Sequence, residues 1–113
     1  MLQVVNDQIT CPTPAKEIAK MLWQLCEKLS DNTAWGLYHF CSYPAVSWYE
    51  FARCFVQNIE PILSKNYSTR AKRPKNAVLN CKKIKQVFDI QQPDWQKGLD
   101  EVLFQVLGPT HEM

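Results

Sequence analysis

A chain of 113 residues suits one small domain, which at that length buries somewhat under about two-thirds of its unfolded surface. A hydrophobic share of 46% with 21% charged residues excludes a disordered or fibrous chain, and no apolar run approaches the ~20 residues that span a bilayer. A net charge of +2 is too small to imply a nucleic-acid partner.

The N-terminus has no basic region followed by an apolar stretch, so no signal peptide is expected and a cytoplasmic location follows. Leu2-Gln3-Val4-Val5 reads as the end of a short strand, one that needs neighbours the chain is not expected to supply. After the turn-like Asn6-Asp7, Thr13 is placed to cap a helix with Pro14 at its first position. Ile18, Met21, Leu22, Leu25, Cys26 and Leu29 keep helical spacing and share one face of that helix.

A loop over 30–35 leads to an apolar and aromatic run, 36–41, expected as a buried strand in which His39 is packed or bonded to backbone. Ser47-Trp48-Tyr49-Glu50 is a capping box, in which hydroxyl and carboxylate each take a free backbone N–H. The helix it opens is expected to carry Phe51, Ala52, Phe55, Val56 and Ile59 inward and to end at Pro61. Residues 64–76 read as an extended connection and 77–79 as a brief strand. Asn80 is placed to cap a short helix with Ile84, Val87 and Phe88. Asp94 caps a last one with Leu99, Val102, Leu103, Val106 and Leu107, stopped at Gly108-Pro109. The fold class is α/β, a small α-rich mixed domain spanning residues 1–113.

Five cysteines with no Cys-x-x-Cys pair argue against a disulfide framework or a zinc site, and Cys26, Cys41 and Cys54 lie in apolar contexts that suit small buried hydrophobes. His39 and His111 make no metal site with the scattered carboxylates. The three glycines, Gly36, Gly98 and Gly108, are too far apart for the turn that lets a backbone approach a dinucleotide pyrophosphate. No tyrosine is followed four residues later by lysine, since Tyr38, Tyr43, Tyr49 and Tyr67 lead to Ser42, Ser47, Arg53 and Ala71. No catalytic or cofactor-binding residue is therefore assigned. Residues 65–85 are different, with eight basic side chains and no acidic one, a local field that concentrates a phosphate-bearing ligand.

Segment order adds a resemblance. Val4-Val5-Asn6-Asp7-Gln8, Cys11-Pro12-Thr13, Gly36-Leu37-Tyr38-His39, Ser47 to Ala52, Arg73-Pro74 with Val78-Leu79, and Pro93-Asp94-Trp95 together resemble the C-terminal portion of dTDP-4-dehydrorhamnose reductases, from Val4 to Leu107. The resemblance implies an extended short-chain dehydrogenase/reductase whose Rossmann half, absent here, holds NADPH or NADH, while the smaller half holds a dTDP-sugar. The intact enzyme would reduce the 4-keto group of dTDP-4-dehydro-L-rhamnose to give dTDP-L-rhamnose. The fragment itself is expected to be inactive and to carry no cofactor. Thr10 stands where that family has glycine, and Ala77 where it has serine.

On this basis Arg73 is the candidate for the diphosphate, because a guanidinium offers two parallel donors to phosphate oxygens. Gln8 and Thr13 sit at the junction of the two halves, and Trp48 is the candidate to stack on the base. The expected partners are the nucleotide-sugar and either the Rossmann domain or a second copy through exposed apolar surface; no membrane is expected. A non-catalytic binding or regulatory module derived from the same family is the alternative. A nucleic-acid binder is disfavoured, because the helices lack helix-turn-helix spacing and there is no aromatic RNA platform.

Overall fold

A computed structural model describes residues 1–108. The elements run β1 (Leu2–Val5), β2 (Ile9–Thr10), α1 (Ala15–Lys28), β3 (Val46–Ser47), α2 (Trp48–Ala52) and β4 (Ile59–Ile62). A 3-10 turn (Ser64–Asn66), α3 (Lys82–Phe88) and α4 (Trp95–Leu107) follow. The fold is mixed α/β with helix predominating, as the sequence implied.

Contrary to expectation, β1 finds its neighbour within the chain. β1 and β4 pair in parallel, Leu2 opposite Ile59 and Val5 opposite Ile62. The expected long helix after Ser47 therefore stops at Ala52. The amides of Phe55 and Val56 close turns on the carbonyl of Ala52, at 3.1 and 2.8 Å, and the chain then extends into β4. Phe51, Phe55 and Ile59 carry helical spacing, but strand pairing with β1 overrides it. Pro61, opposite Val4, is tolerated because each strand of a two-stranded sheet is an edge and one N–H is dispensable. β2 and β3 form a second, antiparallel pair.

Two further expected strands are absent. Residues 36–41 form no ladder and are held by side chains. The Tyr38 ring tilts against Phe88 at 5.1 Å, while Lys83 Nζ lies 4.4 Å from the Tyr38 ring and donates to the Leu37 carbonyl at 3.0 Å. His39 is exposed rather than packed. Residues 77–79 give no strand either; only Asn76 bridges Ile9.

Helix starts follow their side chains closely. Ser47 accepts from the Glu50 amide at 3.1 Å and Asp94 from the Gln96 amide at 2.9 Å. The reciprocal half of the capping box is replaced by an ion pair, Glu50 to Arg53 at 3.6 Å. Asn80 accepts from the Lys82 amide at 3.0 Å, although the cap position itself is Cys81. Thr13 does not cap α1. Pro14 holds the cap position with no side-chain bond, and the Thr13 hydroxyl instead donates to the Cys11 carbonyl and accepts the Ser42 amide, at 3.0 and 3.1 Å. Ser42 is fully buried, so its amide needs that partner more than a solvent-facing helix end does. At the other end of the chain Gly108 closes α4, while Pro109 and His111 lie outside the described residues.

The core is small. Cys41, Cys81, Ile84, Phe88 and Ile90 form its centre, and Met21, Leu25, Tyr38, Phe40 and Cys11 pack on it. Cys41 is buried as expected, whereas Cys26 is exposed and Cys54 half-buried. Trp95 is also buried, packing edge-on to Phe51 at 5.4 Å and donating from Nε1 to the Pro44 carbonyl at 2.7 Å. The predicted stripe of the first helix is only half used, since Met21 and Leu25 meet the core while Ile18, Leu22 and Leu29 stay exposed. A radius of gyration of 16.9 Å, against about 13 Å for a compact domain of this length, reflects that open shape. Among the described residues no helix is long and apolar enough to cross a membrane.

Candidate functional site: a basic cleft

Three consecutive residues, Asp7, Gln8 and Ile9, gather the two ends of the stretch 64–77, which holds the first five of the eight basic residues. The Asp7 carboxylate accepts the Ser64 amide at 3.0 Å and its hydroxyl at 2.5 Å. Gln8 Nε2 donates to Ser64 Oγ at 3.1 Å. Ile9 receives the far end, its amide donating to the Lys75 carbonyl at 2.7 Å and its carbonyl accepting the Ala77 amide at 2.8 Å. The hydroxyl bond from Ser64, helped by its amide and by the charge of Lys75, holds the Asp7 carboxyl below its ordinary value against the opposing effect of burial.

Between these anchors lies a cleft of about 690 Å³ lined by Gln8, Ser64, Tyr67 and the basic side chains Lys65, Arg70, Lys72, Arg73 and Lys75. Arg73 is exposed, and no hydrogen bond or ion pair ties it to another described residue. A concave wall of cations with no acidic residue is suited to a diphosphate, whose charge would be neutralised and whose oxygens would take paired donors. Tyr67 adds the one aromatic ring in the lining.

Of the four candidates named from sequence, the fold brings Gln8 and Arg73 into this cleft. Thr13 lies elsewhere, on an apolar groove with Pro14, Phe51, Trp95, Gly98 and Val102. Trp48 donates its amide to the Gln8 carbonyl at 3.4 Å, but its ring packs edge-on to Phe51 at 6.0 Å and is not part of the cleft wall. Asp7 and Ser64 were missed. They lie 57 positions apart in the chain, and neither a turn-like Asp nor a loop Ser announces such a partner. The two positions that depart from the family pattern also converge, because Ala77 bonds Ile9 and Thr10 is the next residue of β2.

The glycines build no dinucleotide cradle. A Cβ on Gly98 would meet the Pro14 ring, one on Gly36 would meet Lys83 Nζ, and Gly108 faces open space. None lies between a strand and the start of a helix, so none of them forms the glycine turn of a dinucleotide-binding βα unit. Among the described residues no group of histidine, cysteine or carboxylate side chains is placed to hold a metal ion.

Fold and site together define a small α-rich mixed domain that carries a basic cleft. The chain belongs to the RmlD substrate binding domain family, whose model matches residues 1–107. It is 39% identical to a dTDP-4-dehydrorhamnose reductase of Aggregatibacter actinomycetemcomitans over 90% of this chain and 40% of that protein. The Escherichia coli K12 reductase of the same name is 29% identical over 96% of this chain and 41% of its own length. Among solved structures, the dTDP-4-dehydrorhamnose reductase of Bacillus anthracis in complex with NADP superposes with a TM-score of 0.80 at 25% identity, covering 93% of this chain and 38% of that one. The Clostridium acetobutylicum reductase gives 0.81 at 26%, covering 94% and 39%. The chain thus spans about two-fifths of the length of these relatives.

Proposed function

We propose that residues 1–113 form the nucleotide-sugar-binding part of a dTDP-4-dehydrorhamnose reductase, the enzyme that reduces dTDP-4-dehydro-L-rhamnose to dTDP-L-rhamnose with NADPH or NADH. The observation that carries this reading is the convergence of Gln8 and Arg73 on one cation-lined cleft, in a chain of the RmlD substrate binding domain family. Arg73 would take the diphosphate and Gln8 would fix the adjoining wall. The nicotinamide would be held by the part of the reductase that corresponds to the remaining length of the relatives, and this chain by itself would not reduce the sugar. Thr13 and Trp48 would then act through structure, Thr13 by securing Ser42 and Trp48 by securing Gln8. The exposed side chains of α1 supply apolar surface that the rest of the enzyme, or a second copy, would cover.

The test is calorimetric titration of dTDP and dTDP-rhamnose into the chain and into Arg73→Ala. A charge-assisted hydrogen bond contributes about 1.5–3 kcal/mol, so the substitution should weaken binding by roughly ten- to a hundredfold. Equal affinity in the two proteins would remove Arg73 from the site, and no heat at millimolar ligand would remove the site from this chain.

A further inference from the structure

The centre of the core holds a chemical feature that sugar binding does not use. Cys41 Sγ and Cys81 Sγ lie 3.7 Å apart, each residue only 5% exposed, and Cys11 packs on the same cluster. Both thiols point toward one acceptor, the Leu79 carbonyl, at 3.9 and 3.7 Å. These are weak contacts, so joining the sulfurs would strand no strong hydrogen bond. Gln92 makes its better bonds to the carbonyls of Cys41 and Ser42, at 3.1 and 3.3 Å, and these survive a change at sulfur. The two cysteines belong to different parts of the chain, Cys41 to the segment before β3 and Cys81 to the cap of α3.

We propose that Cys41 and Cys81 are a modification site, a dithiol pair that a small anionic disulfide of the glutathione class converts to an intramolecular disulfide. The bond needs a sulfur separation of about 2.05 Å, a closure of roughly 1.6 Å that side-chain rotation and a slight loop adjustment supply. Access is from one side. Cys81 lines a cleft of about 610 Å³ together with Lys82 and Lys85, whose ammonium groups attract the carboxylates of the reagent.

The reaction balances in two exchanges. The Cys81 thiol loses its proton and its sulfur attacks one sulfur of the reagent, forming a mixed disulfide and expelling one reagent thiolate, which takes that proton. The Cys41 sulfur, losing its own proton, then attacks Cys81 Sγ and expels the second reagent thiolate, which takes the second proton. Two protein thiols are oxidised and one reagent disulfide is reduced to two thiols. Burial pushes the Cys81 thiol above its ordinary value, so the thiolate is scarce and the first exchange is slow near neutrality.

The experiment exposes the chain to oxidised glutathione, blocks remaining thiols by alkylation and maps the peptides by mass spectrometry. The expected result is loss of two of the five thiols, a mass lower by two hydrogens, and one linked peptide pair containing Cys41 and Cys81. Cys41→Ala should keep a glutathione adduct on Cys81 with no internal link, while Cys11→Ala should still form the link. Five alkylated thiols in the oxidised wild-type chain would overturn the proposal, as would a link through Cys11, Cys26 or Cys54. The wild-type map alone decides between these outcomes, whether or not a variant folds.

Discussion

Gly98→Ala sets two effects of opposite sign against each other in the middle of the first half of α4. On propensity alone, alanine in a helix interior is favoured over glycine by about 1 kcal/mol. Packing opposes it, because a Cβ at Gly98 would stand 2.4 Å from Pro14 Cγ and 3.3 Å from Pro14 Cβ. The obstructing atom belongs to a closed ring and has no flexible end to swing away. Nor is its backbone free, since the Pro14 carbonyl accepts the Glu17 and Ile18 amides at 3.0 and 3.2 Å and the preceding Thr13 is tied to Cys11 and Ser42. Overpacking a fixed contact costs typically 1–3 kcal/mol, and the rigidity on both sides argues for the upper end. The net expectation is destabilisation by about 2 kcal/mol, a fall in melting midpoint of roughly 8 °C for a domain of this size. Urea unfolding followed by circular dichroism should show a lower midpoint at unchanged slope. In a Pro14→Ala background the same substitution should become neutral or stabilising. A wild-type background in which Gly98→Ala raises stability by ~1 kcal/mol would refute the α1–α4 contact and the reasoning with it.

Trp95→Phe keeps the edge-on contact with Phe51 but removes the donor to the Pro44 carbonyl, and should cost about 1–2 kcal/mol by thermal melting. For Asp7, the folded carboxyl lies below its ordinary 3.8, so the unfolded chain binds the proton first as pH falls. Its contribution to stability is complete above pH 3.8 and disappears as pH drops through the lower folded value. Asp7→Asn should therefore flatten the acid limb of the stability profile below about pH 4, and an unchanged limb would exclude the Asp7–Ser64 anchor.

What the sequence disclosed and what it withheld divide along a physical line. The oxygens of Ser47, Asn80 and Asp94 act on amides two or three residues away, and such local chemistry is visible in the order of residues. The capping role expected of Thr13 failed because a distant amide, that of Ser42, competed for the same hydroxyl. The overlong second helix failed likewise, its apolar spacing being genuine but its last residues diverted to pair with β1. For the cleft, Arg73 was legible from its basic neighbourhood and from the family resemblance, and Gln8 from the resemblance alone. Asp7 and Ser64 were not, because an anchor joining two loops has no period and no motif.

That anchor gives the basic segment a particular freedom. Ser64 and Lys75 are both secured by the tripeptide 7–9, so the residues between them leave and return at nearly one point, as in an Ω-loop. Lengthening such a loop costs little, about 0.6 kcal/mol per doubling, and leaves the secured ends where they are. Selection could therefore exchange, insert or delete residues from 65 to 74, trying one lining against another ligand, while the architecture beneath is inherited unchanged.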